Sequence, residues 1–341
     1  MVRPSMTSYL ADRSANVAVM AHARPPFRFI AAMPTLDQPA ATWRDAVRRL
    51  EDTGYSTVAI SDHVTRGWAM DPLVTMSAAA GATDRLRVLS LVLSNDFRHP
   101  ALVYKAIATI DVLSGGRAEL GLGAGWLTAD YDALGVPFDP PAVRVQRLGE
   151  SVRLIKRMFL SDAEVSFVGS HYQIRDFEPL PRPIQRPGPP LLIGGGGKAI
   201  LTLAGRQADI VGINASLAPD ADRAAAVIGL TEVEVEEKLR WVREAAVAAG
   251  RAPADLEFQL NVLELHITDS RAEANAVLDS LSAALKLPRE MIESAPAVLV
   301  GGLARCSELL EERRARFGFS YIKLGSDPLA SARLVAHLAG R

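Results

Sequence analysis

Short, almost unbroken apolar runs alternate with longer stretches whose apolar residues recur every three or four positions. The runs at 27–33, 57–61, 86–93, 118–122, 190–194, 209–213, 257–266 and 320–324 predict strands. Continuous apolarity, rather than in–out alternation, marks strands covered on both faces. The stretches between them have helical spacing. Trp43, Val47 and Leu50 share one face, and Gly54 predicts the end of that helix. Thr231 and Glu234 predict a capping box ahead of Val235, Leu239, Val242 and Ala246, with Gly250 as the stop. Strands separated by helices in this way fit a closed α/β barrel, the (β/α)8 TIM barrel, better than an open sheet.

Two segments depart from the alternation. Residues 161–189 carry no amphipathic helix, and their second half is rich in proline (EPLPRPIQRPGPP). A long connection of this kind inside a compact domain is usually functional or an insertion. It is expected to cross the C-terminal mouth of the barrel, after the fourth strand, with a small hairpin near Val165–Ile174. Residues 1–25 mix Arg, Ser, Ala and Pro without the apolar centre of a signal peptide, and read as a flexible leader. The remainder, 26–341, reads as one barrel domain.

Composition narrows the function classes. The chain has 341 residues and a formal net charge of −1, which gives no reason to expect nucleic acid or a membrane surface as partner. No apolar run approaches the roughly 20 residues that span a bilayer, and a cytoplasmic protein is expected. The single cysteine, Cys306, excludes an internal disulfide and a cysteine-rich metal site, and reads as core packing. No His-x-x-x-His or similar spacing suggests a metal centre. The pairs Arg48-Arg49 and Arg313-Arg314 read as solvated helix faces.

In such a barrel, chemistry gathers where the strands end on their C-terminal side. The second predicted strand ends in Ser61-Asp62-His63, the third in Leu91-Val92-Leu93-Ser94-Asn95, and the fourth in Gly123-Ala124-Gly125-Trp126. The fifth runs into Gly194-Gly195-Gly196-Gly197-Lys198, four glycines that open a helix. Glycines permit positive φ and let backbone N–H groups approach a ligand, and a helix N-terminus suits a phosphate. Neither glycine stretch has the spacing of the dinucleotide fingerprint or of the P-loop. His63 can exchange a proton near neutral pH, and Asp62 beside it could raise its pKa or hold one tautomer. A plain structural histidine at a strand end is the competing reading. Trp68 and Trp126 could wall a flat aromatic ligand, or pack a core.

Taken together, these segments resemble the luciferase-like monooxygenase superfamily, in its branch of deazaflavin (coenzyme F-420)-dependent oxidoreductases. The matching stretches are ISDHV at 60–64, FRHPALVYKAIATIDVLSGGRAELGLGAGW at 97–126 and PLPRPIQRPGPPLLIGGGGKAILTLAGRQAD at 179–209. The resemblance implies a (β/α)8 barrel with an insertion after the fourth strand, and commonly a homodimer. It implies that Asp62 and His63 meet the ring system of the cofactor. A bulge with a non-proline cis peptide at Leu91-Val92, close to Asn95, would support the back of the ring. Ala124-Gly125 would lie near the ring or its side chain, and Gly194 to Gly197 would hold the phosphate.

Sugar-phosphate and alcohol dehydrogenases of that branch carry a glutamate where Trp126 stands here. Its absence argues against those substrates. Reduction of an unsaturated bond needs only a hydride and one proton donor, for which His63 is the candidate. The Asp62-His63 pair points to coenzyme F-420 as the expected cofactor, with FMN and oxygen in the same cleft as the alternative. A third possibility is a binding protein on a degenerate barrel. The substrate, a small to medium organic molecule, is not named by these residues.

Overall fold

The computed structural model describes residues 25–37, 39–216 and 222–341. The expected leader falls almost wholly outside the described residues. In chain order the elements begin with β1 (Arg28–Ala32), α1 (Ala40–Thr53), β2 (Thr57–Ile60), α2 (Pro72–Ala82), β3 (Arg87–Ser90) and β4 (Leu93–Ser94). There follow α3 (Pro100–Leu113), β5 (Ala118–Gly123), α4 (Thr128–Leu134), α5 (Pro141–Leu160), β6 (Val165–Val168), β7 (Gln173–Phe177) and β8 (Leu191–Gly195). Next come α6 (Lys198–Gln207), β9 (Ile210–Ile213), α7 (Arg223–Ile228), α8 (Glu232–Ala248), β10 (Glu257–Val262) and β11 (Glu264–Ile267). The chain ends with α9 (Arg271–Leu285), α10 (Arg289–Ser294), β12 (Val298–Gly301), α11 (Leu303–Phe317), β13 (Phe319–Leu324) and α12 (Pro328–Leu338).

Strands β1, β2, β3, β5, β8, β9, β10 and β13 pair in parallel, and the β3–β5 pairing closes the ring. This is a (β/α)8 TIM barrel, and its strands are the ones that the apolar runs predict. The third run is broken: β3 ends at Ser90, Leu91-Val92 leave the ladder, and β4 resumes beside Leu122 and Gly123.

Along each strand, alternate residues face the barrel interior and the helical shell. Ile30, Ala59, Leu89, Leu192, Ile210 and Tyr321 pack together inside. Their neighbours Phe29, Val58, Val88, Ile193, Val211 and Ile322 join the larger core beneath the helices. The N-terminal end of the interior is closed by charge. The Glu119 carboxylate is paired with Arg28 and with Arg87 (2.6 Å), and Arg28 also pairs with Glu257 (2.7 Å).

The helices stop and start where the side chains dictate. Gly54, at φ 99°, ends α1 in the left-handed conformation. Asp71 and His99 accept from the backbone N–H groups that open α2 and α3, and a proline follows each cap. The capping box expected at Thr231 does not form: Thr231 makes no side-chain cap bond, and Glu234 lies 3.3 Å from Lys238 instead.

Two excursions leave the barrel. In the first, β6 and β7 form an antiparallel hairpin between the fourth and fifth barrel strands. The Glu150 carboxylate of α5 accepts the backbone N–H groups of Ser170, His171 and Tyr172, which fastens the hairpin tip. The second was not foreseen. The run 257–266 is two strands, because Leu263 turns out of the barrel and donates its N–H to Ala297. β11 then pairs in parallel with β12, a strand unmarked by the sequence reading. Leu278, Ile292, Val298 and Val300 form a small core there with Val227. Arg313 serves this unit rather than a solvated face, being buried and donating to the carbonyls of Ala295 and Val298 (2.7 Å).

Candidate active site

Each candidate residue lies at or just beyond the C-terminal end of a barrel strand. His63 follows β2, and its Nδ1 stands 2.6 Å from Oδ2 of Asp130 on α4. The other carboxylate oxygen of Asp130 accepts the Thr65 hydroxyl (2.6 Å) and N–H (3.0 Å), and the Val64 N–H (3.3 Å). Burial would raise the Asp130 carboxyl, but the bonds from Thr65, His63 and Val64 outweigh it and hold it below the ordinary aspartate value. The imidazole is thus anchored through Nδ1, with Nε2 outside this bond.

The adjacent acid, Asp62, is not the partner of this histidine. Asp62 turns the other way, where it accepts the Ser94 N–H (3.0 Å) and pairs with Arg98 (2.5 Å). Successive residues leaving a strand point to opposite sides, which separates Asp62 from His63. Asp62 therefore joins the end of β2 to β4, and the tautomer of His63 belongs to Asp130. Nothing local in the sequence marks Asp130, since the contact spans the loops after two different strands.

The two tryptophans flank the same imidazole. The Trp68 ring lies 5.2 Å from that of His63, tilted, and the Trp126 ring 5.9 Å away, edge-on. Both are largely open to solvent, at 47% and 42% exposure, so neither is a core residue.

The break in the third strand forms the floor of this region. The Leu91–Val92 peptide is cis, and the Leu91 carbonyl accepts the Ser61 hydroxyl at 3.0 Å. Val92 lies across the next two barrel strands. A Cβ on Gly123 would come within 2.7 Å of its side chain, and one on Gly194 within 3.3 Å. These glycines clear room for Val92, a packing role that glycine content alone does not reveal. Asn95 is buried and donates to the Tyr172 hydroxyl at 3.0 Å, tying the strand break to the hairpin tip.

The turn at Ala124-Gly125 is held from behind. Gly125 has φ 74°, and a Cβ there would collide with the Tyr131 hydroxyl. Arg144 donates to the carbonyls of Ala124 (3.0 Å) and Gly125, and Tyr131 donates to Asp96 (3.0 Å).

The four-glycine stretch departs from its expected conformation, for none of Gly194 to Gly197 has positive φ. Packing accounts for Gly194, against Val92, and for two more: a Cβ on Gly195 would meet Ile200 at 2.3 Å, and one on Gly196 the Ala215 backbone at 2.3 Å. Gly197 is different. It caps α6 with no side-chain bond, and a Cβ there would meet only the Ser216 hydroxyl, at 3.7 Å. The first turn of α6 is thus uncapped by any side chain and open beside Gly197, and helix starts of this kind suit anions in general. Lys198 is exposed beside it.

The described residues hold no group of His, Cys, Asp and Glu suited to a metal ion, and no helix among them is long and apolar enough to cross a membrane. A surface groove of about 480 Å³ lies at the opposite end of the barrel, against Arg153, Lys156, Arg157 and Gln207, away from this constellation.

Comparison with known proteins agrees with this architecture. An FMNH2-dependent dimethylsulfone monooxygenase of Pseudomonas putida is 32% identical over 163 residues, 47% of this chain and 44% of that protein. An F420-dependent glucose-6-phosphate dehydrogenase of Kineococcus radiotolerans is 35% identical over 171 residues, 48% of this chain and 50% of that protein. The chain thus spans about half the length of the curated relatives it matches. Among solved structures, the coenzyme F420-dependent tetrahydromethanopterin reductase of Methanopyrus kandleri superposes with a TM-score of 0.72. It is 19% identical, the match covering 93% of this chain and 98% of that one, a likeness of fold. The model of the luciferase-like monooxygenase family matches residues 26–320, and the chain belongs to that family.

Proposed function

We propose that the protein transfers hydride between coenzyme F-420 and a small to medium organic substrate, in the direction that reduces an unsaturated bond. The observation that carries this reading is His63, anchored to Asp130 and flanked by Trp68 and Trp126. It stands on the rim shared by the Leu91–Val92 break and the glycine-lined end of β8. A flat ring would rest on Leu91 and Val92 near Ala124 and Gly125, and Gly197 with the first turn of α6 would take its phosphate.

The deazaflavin, when bound, supplies a two-electron hydride. His63 supplies the proton. Held through Nδ1 by the Asp130 carboxylate, the imidazole is oriented to act as a general acid through Nε2. Its proton passes to the substrate atom next to the one that receives the hydride, so the double bond takes up one hydride and one proton. His63 is left neutral, still bonded to Asp130, and is reprotonated from solvent. Trp68 and Trp126, beside the imidazole, would offer flat faces to an aromatic ring.

A second reading places FMN in the same cleft, with oxygen as co-substrate. It is favoured by the FMNH2-dependent relative, and by a tryptophan at 126 where the carboxylate of the sugar-phosphate dehydrogenases is expected. Titration of the purified apo-protein with each cofactor, followed by protein fluorescence, decides between them. Micromolar binding of coenzyme F-420 is expected. Micromolar binding of FMN with none of the deazaflavin would reverse the order.

A further inference from the structure

The interior of the barrel pairs its cations where they serve the fold. Arg28 and Arg87, at the N-terminal end, both meet Glu119. Lys323, at the opposite end, is not treated in this way. It lies on β13 two residues after Tyr321, whose ring belongs to the interior cluster and whose hydroxyl donates to Glu119 (2.6 Å). Strand alternation puts Lys323 on that same inward face, at the C-terminal mouth. Its neighbours Ile322 and Leu324 belong to the outer core.

The Lys323 ammonium donates to the Gly325 carbonyl at 2.8 Å, and no carboxylate among the described residues pairs with it. Lys323 is part-buried, and of the three ammonium donors this one bond leaves two without a protein partner among the described residues. Burial pulls its pKa below the ordinary lysine value, with no charged partner to offset the effect. Holding a cation in such a place is costly unless an anion arrives.

The surroundings continue the polar surface. In register, Lys323 stands beside Asn261 on β10, and the Asn261 amide donates to Asn214, after β9, at 3.0 Å. Gln259, one step deeper on the same face, is fully buried and its Oε1 has no partner. The sixth, seventh and eighth strand ends thus offer amides and one ammonium. The candidate cofactor residues come from the second to the fifth strand ends.

We propose that Lys323 is the anchor for an anionic group of the substrate, and that this protein therefore acts on a small organic anion, a carboxylate or a phosphate ester. The proposal rests on the reading in which a ring cofactor occupies the second to fifth strand ends, leaving the remaining arc to the substrate. Asn214 and Asn261 complete the contact as neutral donors and acceptors.

The test measures binding by calorimetry, with the purified protein and defined probes: acetate, benzoate and inorganic phosphate, against acetamide and benzamide. The wild type is expected to bind acetate or benzoate about 10-fold more tightly than its neutral partner, or to bind phosphate in a way that Lys323→Met abolishes. Lys323→Met should remove that preference, and Lys323→Arg should retain it. No anion preference in the wild type, or the same preference in Lys323→Met, overturns the proposal. Coenzyme F-420 and FMN are titrated into the same variants, and affinities within about threefold of wild type are expected. A loss of tenfold or more in Lys323→Met would assign the lysine to the cofactor and also overturn the proposal. If the wild type bound neither cofactor, the proposed function would fail, while the probe titrations would still decide whether Lys323 holds an anion. Thermal unfolding of Lys323→Met checks that the barrel is intact.

Discussion

His63 and Asp130 meet at 2.6 Å although 67 positions separate them, one after the second barrel strand and the other in the helix after the fourth. Asp130 holds the imidazole through Nδ1 and, through its second oxygen, fixes the loop at Val64 and Thr65. One carboxylate therefore sets both the direction of Nε2 and the path of the chain that carries it.

Removing the imidazole should damage turnover more than cofactor affinity. His63→Ala is expected to lower kcat by about 10²-fold or more, the usual scale for losing a general acid, with Kd for the cofactor within a few fold. Asp130→Asn should lower kcat by a smaller factor, because the imidazole loses the carboxylate that orients it. Combining the two should be no worse than His63→Ala alone, since Asp130 acts through His63. Additive losses would give Asp130 a separate role.

Gly195 and Gly197 separate packing from ligand binding. Gly195→Ala presses on Ile200 and is expected to lower thermal stability. Gly197→Asp has space for its side chain, so the fold should survive while its charge repels a phosphate at the start of α6. Unchanged cofactor affinity in Gly197→Asp would move the phosphate site elsewhere.

Trp68 and Trp126 should report the ring directly. Cofactor binding is expected to quench tryptophan emission, with a smaller amplitude in Trp68→Phe and in Trp126→Phe. Equal quenching in both variants and the wild type would place the ring away from His63.

Glu119 should make the fold acid-sensitive. Burial would raise its carboxyl, but Arg28, Arg87 and the Tyr321 hydroxyl outweigh that and hold it below the ordinary glutamate value. A depressed folded pKa contributes stability above the unfolded value near 4.5, and that contribution is lost as the pH falls through the folded value. Glu257, raised by burial, works in the opposite sense. Glu119→Gln should cost about 3–5 kcal/mol at pH 7, as when a buried ion pair loses one member. Urea unfolding of the two proteins should converge as the pH falls below 4.5, the ordinary glutamate value.

The barrel was legible because its strands are apolar on both faces and its helices carry regular stripes. The run at 257–266 misled because both pieces are apolar, and only Leu263, bonded to Ala297, marks where one sheet is exchanged for another. The rim residues were legible as strand ends, since His63, Leu91-Val92, Ala124-Gly125 and Gly194 to Gly197 follow strands. Their partners were not. Asp130, Arg98 and Arg144 lie in other loops or helices, and no spacing in the chain announces which carboxylate or carbonyl each will find. Lys323 left one readable trace, a charged residue inside a run otherwise fit for burial.

The charged plug of Arg28, Glu119, Arg87 and Glu257 makes the barrel a vessel with a sealed bottom. The candidate residues gather at the opposite lip. Substitutions among the plug residues can then alter how long the protein survives without altering what it accepts. Changes along the lip can redirect its chemistry while the vessel itself stays whole.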